Sequence, residues 1–172
     1  MKKLFVIANW MQGNGLSGGD RIFIELVKRW QLQLNITLFL SKEGSAICKR
    51  HELGDINQKV WASNFFSRWG YLVDILYRTL NSIINAFSVK TIAGDIIFST
   101  SDFWPDSFPA LILKKRNPKI TWIAGFYLFA PKPWQKNSPY RGKRFLTGLL
   151  YWIGQLPAYY IIRKYADIVF VT

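Results

Sequence analysis

Histidine, cysteine and, over one long stretch, acidic residues are what this chain has least of. His51 is the only histidine, which excludes a metal site built on a histidine pair and any H-E-x-x-H protease. It follows Lys49 and Arg50 in a polar stretch and reads as an exposed helix residue. Cys48 is the only cysteine, so no internal disulfide can form and a reducing compartment fits. Its thiol reads as a small, partly buried hydrophobe. Residues 107–166 contain eleven Lys or Arg and no Asp or Glu, whereas the first 106 residues are close to balance. That stretch supplies most of the formal net charge of +13. So one-sided a distribution points to an anionic partner: lipid headgroups, a phosphorylated ligand or nucleic acid. The plainer alternative is a solvated basic face. Nucleic acid has the least support, because no helix-turn-helix, zinc-ligand spacing or RNA-recognition motif is present.

Apolar residues are what the chain has in abundance. With 172 residues, half of them hydrophobic and 17% aromatic, it can bury a core in one domain and does not have a disordered composition. The opening, MKKLFVIANWMQGNG, imitates a signal peptide, but its apolar run is shorter than an h-region and no small-residue cleavage site follows. Residues 4–8 read instead as a strand covered on both faces.

An amphipathic helix follows, with Ile22, Phe23, Leu26, Val27 and Trp30 at helical spacing. Residues 35–40, 58–63, 95–100, 119–125 and 167–172 read as five further strands. Between them lie a weak helix at 45–53, a long one over about 66–87, another at 107–117 and a hydrophobic helical region ending near Tyr165. The long helix carries Trp69, Val73, Leu76, Leu80, Ile83, Ile84 and Phe87 on one side. Alternating strands and helices predict an α/β domain: a Rossmann-like, open, mainly parallel sheet of about six strands with helices on both faces. Because the chain stops on the sixth strand, it is expected to be part of a longer, two-domain protein.

Residues 145–162 carry no charge and approach the length of a bilayer span. Gly148, Gly154, Gln155 and Pro157 interrupt the run, and basic residues at both ends give no orientation bias. A span would also strand the sixth β-segment away from its sheet. A surface resting among lipid headgroups fits better, with Arg141, Lys143, Arg144 and Trp152 as its candidates and other aromatics mixed among them.

The loop GNGLSGGDRIFIEL, residues 13–26, contains G-x-G-x-x-G, a weak dinucleotide signal taken alone. Four residues separate the first strand from Gly13, and Ser41 and Lys42 stand where a ribose-binding acid would be needed. The shorter string Ser17–Gly18–Gly19–Asp20–Arg21 enters the helix directly. Paired glycines let a diphosphate approach the backbone, and helix-start N–H groups favour anionic oxygens. Here the sequence resembles the N-terminal domain of GT-B glycosyltransferases of family 4, which commonly carry a G-G-x-x-R-like turn after their first strand. The likeness extends through GDIIFSTSDFWPDSFPALILKK to ADIVFVT, where the family's last N-domain strand precedes the crossing to a second domain.

The resemblance implies a glycosyltransferase using a nucleotide-sugar donor, with retention of configuration, and no metal or covalently bound cofactor. Residues 1–172 would form its acceptor-side domain, inactive without the nucleotide-sugar-binding domain. Gly18, Gly19 and Arg21 would contact the donor phosphates or the transferred sugar. The carboxyl ends of the strands supply acceptor-binding candidates: Asn9, Trp10, Ser101, Asp102, Trp104, Phe126, Tyr127 and Lys132. Many family members carry a histidine after the fifth strand. This chain has AGFYLFAPKPW there, so no catalytic residue is assigned. The basic, aromatic C-terminal third implies a lipid-linked or glycan acceptor and peripheral attachment at the inner face of the cytoplasmic membrane. The competing expectations are a nucleotide-dependent oxidoreductase and a non-catalytic basic module for membranes or nucleic acid.

Overall fold

A computed structural model describes residues 2–13, 15–63 and 67–171. Strand β1 (Lys3–Ala8) is apolar from its second residue onward, and Leu4 to Ala8 are all buried. It lies mid-sheet, as a strand covered on both faces must. Leu4 pairs with Ile36 of β2 (Asn35–Ser41) on one side and with Ile96 of β4 (Ile96–Ser99) on the other. With β3 (Asn57–Ala62), β5 (Thr121–Gly125) and β6 (Ile168–Phe170), the sheet runs 3-2-1-4-5-6. Every pairing is parallel, so the sheet is wholly parallel rather than mainly so. This is a Rossmann-like open α/β architecture.

The two-residue period of β1 divides the core. Leu4, Val6 and Ala8 pack against α1 (Gly18–Trp30) and α2 (Lys42–Arg50) through Phe23, Val27 and Ile47. Phe5 and Ile7 face the other way, in a core with Ala86, Ala110 and Ile162. Those three residues come from α3 (Tyr71–Phe87), α4 (Trp104–Arg116) and α5 (Phe145–Tyr165). Cys48 is fully buried in the first core, where burial pushes its thiol up to about 12.

Helix ends differ from their expected positions for local reasons. Helix α2 starts at Lys42 because the Ser41 hydroxyl accepts from the Gly44 N–H at 2.9 Å, a side-chain cap. Helix α4 starts at Trp104 with Pro105 in its first turn, where proline costs no hydrogen bond. A 3₁₀ turn, Ser67–Trp69, precedes α3. The expected start of that helix, near residue 66, lies outside the described residues.

Helix α3 is inside out. Its apolar stripe points away from the sheet, leaving Leu80 59%, Ile84 65% and Phe87 59% exposed. Its buried side carries Asp74, Arg78, Thr79 and Ser82. The buried pair explains the orientation. Arg78 Nε lies 3.1 and 3.0 Å from the Asp74 oxygens, Nη1 donates to Asn9 O at 3.1 Å, and Nη2 meets Glu43 Oε1 at 3.2 Å. A buried guanidinium requires such partners, and they lie beneath the loop leaving β1.

Helix α5 is long and apolar enough to cross a membrane by length and composition. In this fold it packs against α4, and β6 beyond it pairs with β5 from Ile123↔Ile168 to Gly125↔Phe170.

Candidate functional site

Between β1 and β4 the chain departs to opposite faces: the loop after β1 leads to α1, the loop after β4 to α4. Diverging exits open a crevice at the carboxyl ends of the strands, where open α/β sheets bind their ligands. A cleft of about 540 Å³ lies there. Gly18, Gly19 and Asp20 bound it on the α1 side, Ser101, Asp102 and Phe103 on the β4 side, with Trp10, Tyr127 and Tyr151 as aromatic walls.

The α1 wall is built by a reciprocal cap. The Ser17 hydroxyl accepts from the Asp20 N–H at 3.2 Å, and the Asp20 carboxylate accepts from the Ser17 N–H at 2.8 Å. This fixes the helix entry while the first turn keeps N–H groups with no intrahelical acceptor. A side chain at Gly18 would meet nothing within 4 Å, so its backbone faces open space. A Cβ on Gly19 would come within 2.9 Å of the Tyr127 ring, so this glycine lets the tyrosine close the cleft. Gly13 has φ +69°, the left-handed geometry of a turn residue.

The β4 wall is held by Asp106, which is fully buried. Its Oδ1 accepts from the N–H groups of Asn9 at 2.6 Å and Trp10 at 3.1 Å. Its Oδ2 accepts from the hydroxyls of Ser101 at 2.5 Å and Thr100 at 3.3 Å. Burial pushes this carboxyl up to about 7, against the opposing pull of those donors. Asp102, at the cleft edge, accepts from Gln155 Nε2 at 2.7 Å and is also raised by burial. Gln155 further donates to Leu128 O and accepts from the Ala130 N–H, each at 2.7 Å. One residue of α5 thereby ties the loop after β5 to the loop after β4.

Among the residues singled out from sequence, the cleft brings together Trp10, Gly18, Gly19, Ser101, Asp102 and Tyr127. The others lie elsewhere. Arg21 is exposed on α1 and Lys132 is exposed beyond β5; neither lines the cleft. Asn9 is buried, and its amide donates to Pro105 O at 3.5 Å. Trp104 donates its indole N–H to Gly154 O at 2.6 Å. Phe126 belongs to the core against Phe129 and Tyr159. Arg141, Lys143 and Arg144 are exposed ahead of α5, and Trp152 meets the edge of Trp134 at 5.2 Å.

Sequence reasoning missed Asp106, the place of Tyr151 and Gln155 at the cleft, and the Asp74–Arg78 pair. Asp74 and Arg78, four apart, look like an ordinary surface pair until the apolar stripe opposite them is seen to face outward. Among the described residues, no group of three His, Cys, Asp or Glu is placed to hold a metal ion. None of the cleft-lining residues is basic, so an anion there would meet backbone N–H groups and the helix dipole rather than a cation.

The strands, crevice and glycine-bearing helix start define a Rossmann-like domain with a cleft at its topological switch point. No protein-family model matches the chain, and no curated protein matches it.

Proposed function

We propose that this chain is the acceptor-side domain of a glycosyltransferase acting on a lipid-linked or glycan acceptor at a membrane surface. One observation carries the reading: the cleft combines aromatic faces with two carboxylates beside an open glycine backbone. Trp10, Phe103, Tyr127 and Tyr151 offer flat apolar surfaces for a sugar ring. Asp102 and Ser101 offer hydrogen bonds to hydroxyls, and Gly18 leaves room for a phosphorylated donor carried by a second domain. Asp102, raised by burial and lining the cleft, is the group best placed to accept a proton from an acceptor hydroxyl.

The oxidoreductase reading shares the strand order, so order does not choose between them. The position of the ribose-binding acid does. Ser41 ends β2, with its hydroxyl bonded to Met11 O at 2.7 Å, and Glu43 is engaged by Arg78. The second Glu43 oxygen has no partner among the described residues but is buried, and neither residue lines the cleft where a ribose would sit.

The test is transfer of label from a panel of nucleotide sugars to a solvent-extractable product, using the protein from the complete reading frame and isolated membranes. Asp102→Asn should lower transfer about a hundredfold, the usual scale for losing a proton acceptor. Tight NADH binding by the chain, with no transfer from any donor, would sink the proposal.

A further inference from the structure

Two features of the molecule lie outside the cleft and meet at its rim. The first is the outward face of α3, where Leu72, Val73, Leu76, Leu80, Ile84 and Phe87 are all exposed. The helix has only two charged residues, Asp74 and Arg78, and both are buried against each other. No charge therefore reaches solvent from it, the reverse of what water selects on a helix surface. The second is a groove of about 640 Å³ between the starts of α3 and α5, lined by Trp69, Leu72, Val73, Tyr140, Thr147 and Leu150.

The groove and the polar cleft share a wall. Trp10 stacks on Phe103 at 4.8 Å, and Phe103 stacks on Tyr151 at 5.7 Å. All three rings line both spaces. Leu72 and Val73 belong both to the groove and to the outward face of α3. An apolar slot thus runs from the edge of a polar site onto an uncharged helix surface.

We propose that this groove holds one hydrocarbon chain of a phosphate-bearing lipid whose headgroup lies at the cleft, with the groove end of α3 (Leu72, Val73 and Leu76) against the acyl layer. The inference rests on the lipid-linked acceptor proposed above and assigns its tail a place. Charge selects the occupant. Exposed Arg68 precedes Trp69, and exposed Arg141, Lys143 and Arg144 precede α5, so the groove's end of the molecule has a basic rim. Anionic headgroups complement that rim, whereas a symmetric second copy would bring two basic rims together. A peptide would need backbone partners, and among the lining side chains only Thr147, the three tyrosines and the tryptophan indoles carry polar atoms.

The experiment is calorimetric titration of the intact protein with n-alkyl phosphates of increasing chain length, each below its micelle concentration. Affinity should rise up to about fourfold per methylene, the gain for a buried CH₂, until the groove is filled. Leu150→Asp and the uncharged groove-filling Thr147→Trp should both abolish that slope. Leu32→Asp, at a more exposed leucine in the turn after α1, should keep it. Urea midpoints of the variants confirm that the fold is retained. An affinity independent of chain length, or a slope that survives Thr147→Trp, overturns the proposal. So does a dimer in sedimentation that Val73→Asp disperses while no slope is seen. A slope retained in a protein that transfers no sugar supports the groove and counts only against the transferase.

Discussion

Asp106 joins three segments through one carboxylate. Its two oxygens satisfy two backbone N–H groups after β1 and two hydroxyls after β4. A neutral acid can do the same, because the hydroxyls can turn to accept its proton. With its pKa pushed to about 7 in the fold and near 3.9 in the unfolded chain, Asp106 takes up a proton on folding between those values. Its contribution is therefore full below about pH 4 and is lost as the pH rises through about 7, by up to about 4 kcal/mol. Asp102 is raised in the same direction. Asp167 is lowered by its bonds with Lys114 and Trp122, so its effect falls at acid pH, outside this window. Urea midpoints measured from pH 5 to 8 should decline in the parent protein. The decline should be smaller in Asp106→Asn, whose amide mimics the protonated acid, with the Asp102 contribution remaining.

At the scale of elements, α5 contains two glycines that composition cannot tell apart. A Cβ on Gly148 would fall inside Tyr140, while one on Gly154 would meet nothing within 4 Å. Gly148→Ala should therefore cost about 1–3 kcal/mol by overpacking. Gly154→Ala should be neutral or gain up to about 1 kcal/mol from helix propensity. Chemical denaturation of the two variants side by side checks the contrast. Helix α3 marks where sequence reading stops. The repeat from Val73 to Phe87 was enough to identify a helix, because period follows from backbone geometry. Which side faces inward was not legible. That depends on Asn9 and Glu43, the partners of Arg78, which lie far off in sequence.

For the molecule as a whole, the fold was legible and the site only partly so. Strand identity follows from local apolar runs, and the order of alternating elements implies the parallel sheet. Trp10, Ser101 and Tyr127 could be placed at the cleft because they directly follow strand ends. Gln155 and Tyr151 could not, since they arrive on the far helix α5 through packing. The basic stretch, continuous in sequence, is divided in space. Lys132, Lys136, Arg141, Lys143 and Arg144 lie between the carboxyl end of β5 and the start of α5. Lys114, Lys115, Arg116, Arg163 and Lys164 lie at the ends of α4 and α5. Helix length separates the two ends of α5 by about 30 Å. If the cleft end faces the membrane, Lys143→Glu with Arg144→Glu should weaken binding to anionic vesicles by at least about 2 kcal/mol at low salt. Lys115→Glu with Lys164→Glu should leave it nearly unchanged in the same flotation assay.

The central position of β1 also bears on how the protein is made. Lys3–Ala8 leaves the ribosome before the rest of the sheet, yet one of its two edges pairs with β4, which begins at Ile96. At a synthesis rate of about 5–20 residues per second, that edge waits roughly 5–20 s for its partner. During that interval an apolar strand with an open row of hydrogen-bonding groups is exposed to other chains. The order in which this sheet is translated thus gives the nascent protein a need for early shielding that the finished fold no longer shows.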